Sequence, residues 1–209
     1  MSAEHDPAGR VLYAVTCATP AARDVGTLVG MAQERGWRVC VIATPSAVAF
    51  IDQAALEEQT GFPVRHQYKK PGTPDVLPPP DAMVVGGASF NTLNKWALGI
   101  ADTLALGLLT EGIGLRIPIA ALPFLNAAQI THPAFNRHIE VLRGAGVTVL
   151  LGPEGYEPHP PHEGSKHLHK YPWHVPLARS AGRGTEAVTR LRRRRPASGP
   201  ADVSHASHY

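Results

Sequence analysis

Four short stretches of the chain carry the polar side chains whose types and spacing could do chemistry. Thr16-Cys17-Ala18-Thr19-Pro20 and Thr44-Pro45-Ser46 each set hydroxyls around a proline. Thr19 and Thr44 are of the type that caps a helix, and a proline suits the first helical position. Amides freed at such a helix start, with the helix dipole behind them, attract a phosphate; plain caps would use the same threonines. The third stretch, Gly86-Gly87-Ala88-Ser89-Phe90-Asn91-Thr92, sets Ser89, Asn91 and Thr92 beside two glycines that would let the backbone approach a ligand. In the fourth, Asn126 follows the apolar run Leu122-Pro123-Phe124-Leu125. A buried amide left unsatisfied costs about 1–3 kcal/mol, so a bound carboxylate or cofactor is its expected partner.

Other chemistries are excluded or left without support. No G-x-G-x-x-G follows the first apolar strand, and no G-x-x-x-x-G-K-S/T occurs, so dinucleotide and nucleoside-triphosphate fingerprints are absent. His159, His162, His167, His169 and His174 fall among Pro158, Pro160, Pro161 and Pro172, at spacings that match no zinc pattern. They read as a His-rich loop, with no metal.

The elements that must position these residues alternate between strand and helix. Strands are expected at 11–15, 38–42, 82–85, 117–122 and 147–151, from runs rich in β-branched and apolar residues. Helical spacing runs from Val25 to Gly36, from near Ser46 to Gly61, along one face from Leu93 through Ile100 to Leu108, and through Phe135, Ile139 and Leu142. Pro71, Pro74, Pro78, Pro79 and Pro80 make residues 69–80 a connection that can be neither central strand nor helix interior. Alternation without hairpins predicts an α/β fold, a three-layer Rossmann- or flavodoxin-like parallel sheet in one domain. In open parallel sheets ligands bind at the carboxyl ends of the strands, and all four polar stretches stand at such ends. The expected units are residues 10–152 as the ligand-binding domain, 153–180 as an extension packing on the domain or a neighbour, and 181–209 as a disordered basic tail.

The chain has 209 residues and a formal charge of +3, with six of its arginines in residues 183–209 against Glu186 and Asp202. The rest of the chain is therefore close to neutral, and the basicity belongs to the tail. Arg192–Arg195, followed by prolines and small residues, reads as a solvated arm; nucleic-acid binding is not the expected role. No apolar run reaches the length of a membrane span. With two cysteines, Cys17 and Cys40, and no secretory leader pattern at the N-terminus, a cytoplasmic protein is expected.

Ala88-Ser89-Phe90-Asn91-Thr92-Leu93-Asn94-Lys95, followed by Gly99-Ile100-Ala101-Asp102-Thr103-Leu104, resembles the flavin-containing cysteine decarboxylases. That family reads Pro-Ala-Thr/Ser-Ala-Asn-Thr-Ile-x-Lys and then Gly-Ile-Ala-Asp-Asn-Leu. It includes phosphopantothenoylcysteine decarboxylases and the peptide decarboxylases of lantibiotic synthesis, with flavin prenyltransferases as cousins. Pro123-Phe124-Leu125-Asn126 and His132-Pro133-Ala134 resemble the family's Pro-x-Met-Asn segment and the His-Pro after it. The resemblance covers most of residues 10–152. It implies FMN as cofactor, with the phosphate near Thr16, Thr19, Thr44 and Ser46 and the ribityl chain and ring near Ala88, Ser89, Asn91 and Thr92. It implies oxidative decarboxylation of a substrate bearing a thiol and a carboxylate, the carboxylate held by Asn126, in a homo-oligomer that is a trimer or dodecamer.

The departures are specific. Gly87 stands where the family has proline, and Thr16-Cys17-Ala18-Thr19 where it has Gly-Ser. The family's histidine base precedes the third strand; here that stretch is Pro78-Pro79-Pro80-Asp81, and the nearest histidine, His66, would serve only if the proline run loops out. A flavin-binding module without catalysis is the alternative. A flavin prenyltransferase is the weaker one, because no matching Arg-Glu segment follows the fourth strand.

Overall fold

Five runs of apolar residues form one parallel sheet in the computed structural model, which describes residues 9–153 and 155–181. The expected tail from residue 182 onward, with Arg192–Arg195, lies outside the described residues. The strands are β1 (Val11–Thr16), β2 (Arg38–Ala43), β3 (Ala82–Ala88), β4 (Ile119–Pro123) and the short β5 (Thr148–Val149). Their order is β2-β1-β3-β4-β5, with every pairing parallel. The order reverses between β1 and β3, which makes the carboxyl ends of these two strands the place where a crevice opens.

Right-handed crossovers decide what covers each face. The β1-to-β2 connection carries α1 (Val25–Gln33) to one side, where Leu12 and Ala14 pack with Val25, Leu28 and Val29. Connections running the other way pass over the opposite face, and α3 (Phe90–Ala97), α4 (Leu104–Gly114) and α6 (Pro133–Gly144) cover Val15, Met83 and Val85 there. α2 (Gln53–Thr60) starts at Asp52, whose carboxylate accepts from Ala55 N at 3.0 Å, and stops at Gly61 in the left-handed region. The β2-to-β3 return has no helix on the α3–α4 face; the proline-rich segment crosses there as an irregular strap, pinned where Tyr13 Oη donates to Pro78 O at 2.8 Å.

The helical face expected to run unbroken from Leu93 to Leu108 is instead two helices. Gly99, at φ 72°, ends α3, and Thr103 caps α4 by accepting from Leu106 N. Apolar spacing persists through Ile100, so periodicity alone hid the break. The starts at Pro20 and Pro45 are also tighter than expected: both are 3-10 turns, Pro20–Asp24 and Pro45–Phe50, and the α-helices begin later.

Half of the α1 face would be bare without the C-terminal segment. The chain after β5 returns through α7 (Gly164–His167) to α8 (His174–Ala181), and lays Tyr156, Tyr171, Trp173 and Leu177 against Phe124, Leu122 and Val84. Gly86 of β3 makes room for this contact, while a Cβ on Gly87 would meet Thr19 Oγ1 at 2.6 Å. A Cβ on Gly86 would stand 2.5 Å from the Trp173 ring. Gly87, at φ 64°, sits in a bulge where the β3–β4 register shifts from Gly86↔Leu122 to Ala88↔Pro123.

At that bulge the Tyr171 phenol joins both strands. It accepts from Gly87 N at 2.7 Å and donates to Leu122 O at 2.6 Å, all buried. Tyr171→Phe keeps the ring and orphans both backbone groups, so a loss of about 1–3 kcal/mol of folding stability is expected. Urea unfolding checks it: the midpoint should fall with the slope unchanged.

Candidate functional site

The carboxyl ends of β1, β2 and β3 open onto a cavity of about 400 Å³, within the range of small-molecule sites. Thr44 and Ser46, past β2, form one wall, and Ser89, Asn91 and Thr92, at the start of α3, form another. The fold thus brings five of the residues singled out in the sequence to one place. Their side chains divide into two groups. Ser89 Oγ caps α3 by accepting from Thr92 N at 3.2 Å and shares a 3.0 Å hydrogen bond with Thr92 Oγ1. Among the described residues, the side chains of Thr44, Ser46 and Asn91 make no hydrogen bond, so their polar atoms are unspent toward the cavity.

Thr16, Thr19 and Ala88 do not line this cavity. Thr19 does not cap the turn that follows it; its hydroxyl donates to Gly87 O at 3.2 Å. Thr16 is wholly buried, and its Oγ1 has no partner among the described residues. Thr44 flanks its turn without a side-chain cap bond as well.

Lys95 supplies the cavity's single ionisable side chain. Its Nζ pairs with Asp102 at 2.5 Å, across the loop between α3 and α4. Phe90, Thr103, Leu106 and Gln129 complete the wall. None was singled out as a site residue, although Lys95 lies one helical turn beyond Asn91 and Thr92, and Thr103 follows directly on the Asp102 that pairs with it.

Asn126 has a structural partner. It caps the short helix α5 (Ala127–Ile130) in a capping box: its Oδ1 accepts from Gln129 N at 2.9 Å, while Gln129 Oε1 accepts from Asn126 N at 3.1 Å. The oxygen is spent, and the Nδ2 amide makes no hydrogen bond among the described residues. The C-terminal segment also reaches this point, where Ala127 N donates to His159 O at 2.8 Å. His159 Nδ1 is 2.6 Å from Tyr156 Oη, and burial first, then the neighbouring His167, lowers its pKa while Glu163 opposes the shift. His66, half-buried beside the edge bridge Ile42↔Arg65, does not line the cavity. Among the described residues no three His, Cys, Asp or Glu side chains gather to hold a metal.

Comparison with known proteins places this site in context. A family model described as Flavoprotein matches residues 1–181. A cysteine/cysteine sulfinic acid decarboxylase from an unknown prokaryotic organism is 35% identical over 70 residues, covering 34% of this chain and 19% of that protein. The coenzyme A biosynthesis bifunctional protein CoaBC of Mycobacterium tuberculosis is 32% identical over 128 residues, covering 59% of this chain and 30% of that protein. The matched stretch therefore spans less than a third of these relatives' own length. Among solved structures, the FMN-dependent cysteine decarboxylase TvaF from thioviridamide biosynthesis superposes with a TM-score of 0.63 at 22% identity, over 82% of this chain and 98% of that one. The FMN binding protein AtHal3 gives 0.58 at 22%, over 78% and 94%. These two likenesses show the fold. Among the described residues no helix is long and apolar enough to cross a membrane.

Beneath the cavity, burial pushes the Cys17 thiol up, opposed by hydrogen bonds from the Thr92 side chain and the Ser89 backbone. Burial likewise raises Cys40 to about 11 and Tyr13 and Tyr156 to about 12. Each folded group keeps its proton after the unfolded chain has lost its own. Its contribution is therefore full below the unfolded value near 9 or 10, and is lost as pH rises toward 11 or 12. Urea midpoints measured from about pH 8 upward should fall steadily across that window.

Proposed function

The chain belongs to the Flavoprotein family, and on that premise we propose that it holds FMN noncovalently in the cavity past β1, β2 and β3. We further propose that it catalyses oxidative decarboxylation of a small molecule or peptide bearing a thiol and a carboxylate. The observation that carries the reading is the set of unspent polar side chains, Thr44 and Ser46 facing Asn91, around a 400 Å³ opening at the switch point of a parallel sheet. The fit rests on this chain's own residues. Hydroxyl and amide groups suit a ribityl chain and a phosphate, Lys95 brings positive charge, and Phe90 offers a flat apolar wall stacked on Phe135 at 5.9 Å. A bound flavin would supply the acceptor for two electrons drawn from the thiol-bearing carbon. Asn126 does not line the cavity itself but caps α5 with Gln129, which does; its oxygen is engaged in the cap, so its Nδ2 would be the group that donates to the substrate carboxylate.

A second reading, a flavin-binding module without catalysis, is favoured by one observation. His66 lines neither of the two cavities described for this chain, and the strap before β3 presents Pro78, Pro79 and Pro80 where the resembling family has its base. Asn126→Asp separates the two readings, since aspartate caps a helix as well as asparagine while it replaces the Nδ2 donor with a negative charge that repels a substrate carboxylate. Turnover of thiol-bearing carboxylates should vanish while FMN stays bound. Release of FMN would make Asn126 a cofactor ligand. No flavin reduction by any such substrate in the unsubstituted protein would favour the module.

FMN binding is tested by titration of the flavin absorbance. Ser46→Ala and Asn91→Ala remove side chains with no internal bond, so each should weaken FMN about fivefold or more without lowering the thermal midpoint of the flavin-free protein. Riboflavin should bind more weakly than FMN, and a protein that takes up neither would end the proposal. The assembly we propose is a trimer or a multiple of three, in which a neighbour covers the open side near the exposed Leu98 and Ile100. Light scattering with FMN bound should give that mass; a monomer would refute it.

A further inference from the structure

A second cavity, of about 610 Å³, lies on the α3–α4 face beneath the proline-rich strap. It shares no lining residue with the first. The opening of α4 is the partition: Thr103 and Leu106 face the first cavity, Leu104 and Leu108 the second. Tyr68 pins the strap against that partition, its Oη donating to Thr103 O at 3.3 Å over Gly107. The cavity has a physical origin. The β2-to-β3 return crosses this face without a helix, and a chain stiffened by prolines cannot fold down to fill the space above Tyr13 and Met83.

The lining is unusual in how its charges are used. The floor is apolar, with Ile42, Met83 and Leu108. Lys69 and Asp75 neutralise each other at 2.6 Å. Arg65 and Glu111 form no ion pair among the described residues, and Arg65 spends one nitrogen on Gln67 O at 3.1 Å. Both line the cavity with Tyr13, Arg65 at the edge bridge to Ile42 and Glu111 on α4. A guanidinium with nitrogens to spare suits a carboxylate, and a lone carboxylate at the rim suits an ammonium. The outer edge is apolar as well, with Tyr68 61%, Val76 51% and Leu115 48% exposed.

We propose that this cavity is a separate ligand site for a small zwitterion with an apolar body, on the scale of a dipeptide with free ends. Its carboxylate pairs with Arg65 and its ammonium with Glu111. The size is that of a small-molecule site, and the charge pattern selects a molecule carrying both signs over a simple anion or cation. Nothing in this inference depends on the flavin reading, because the two cavities have no residue in common.

Calorimetric titration of the full chain, with and without FMN, tests it, using L-leucyl-L-leucine as the probe. Saturable binding with one site per chain is expected. Arg65→Met and Glu111→Gln should each weaken the probe about tenfold or more, the usual scale for a lost charge-assisted contact. The N-acetylated probe, without an ammonium, should be insensitive to Glu111→Gln. The amidated probe, without a carboxylate, should be insensitive to Arg65→Met. FMN affinity should stay unchanged in both variants. Absence of probe binding overturns the proposal, as does binding that ignores both substitutions or that disappears in Asn91→Ala. If Leu115→Lys lowers the assembly mass and the probe does not bind, this face is covered by a second copy of the chain, and the ligand site is refuted.

Discussion

The Tyr171 phenol, held between Gly87 N and Leu122 O, is the contact on which the upper end of the sheet depends. Pro123, the last residue of β4, has no N–H to give, so the β3–β4 ladder runs short of a donor where the chain must leave the sheet. The bulge at Gly87 absorbs the mismatch, and the phenol links Gly87 N on β3 to Leu122 O on β4. Two residues after the bulge comes Ser89, the cap of α3, and with it the wall of the first cavity. The direction in which α3 leaves β3 is thus fixed by an aromatic residue 84 positions further along the chain. The C-terminal segment belongs to the site's architecture even though none of its residues lines the cavity.

Handedness explains why this segment is needed and where the openings fall. One leftward and several rightward crossovers put a single helix pair on the α1 side, leaving β3 and β4 bare there until Tyr171, Trp173 and Leu177 close over them. On the other side the rightward connections crowd α3, α4 and α6 together, and only the β2-to-β3 return, whose α2 packs on the α1 side, puts no helix there. The first cavity opens where strand order reverses, the second where that return crosses the sheet as a strap. Both lie beside α4, whose separation from α3 at Gly99 exposes its first turn to each of them.

The strands were legible because buried parallel strands are short runs of β-branched and apolar residues, and the sequence has five. The break within the α3–α4 region was not, because apolar spacing continues across Gly99 while the backbone turns. That Thr44, Ser46, Ser89, Asn91 and Thr92 gather around one cavity is legible from their places at strand ends. Thr19 was misplaced because a hydroxyl before a proline reads as a cap, and nothing local shows that it turns toward Gly87 O instead. The glycines of β3 suggest room for a ligand; Trp173, which takes the space at Gly86, lies in a His- and Pro-rich stretch with no periodicity to betray it, and Thr19 takes the space at Gly87. Asn126 was expected to need a ligand; Gln129, three residues on, was the visible sign of a capping box.

The lining of the first cavity limits how protons can move there. Hydroxyls and amides surround it, and its one ionisable side chain, Lys95, is already paired with Asp102. A general base works best with a pKa near the working pH and within hydrogen-bond reach of the proton it takes. Hydroxyls and amides are not bases of that kind, and Lys95 is held by Asp102. His159, whose pKa is lowered, stands behind Asn126 with its Nδ1 against Tyr156. Any proton removed from a thiol in this cavity must therefore pass to solvent, to a neighbouring chain, or to a group the substrate itself brings. That is a different arrangement from the histidine base of the resembling family, while the cavity wall at the start of α3 carries residue types that resemble that family's at Ser89, Asn91, Thr92 and Lys95. The strap before β3 and the bulge that sets the start of α3 are separate structural supports, so a change in the first leaves the second intact.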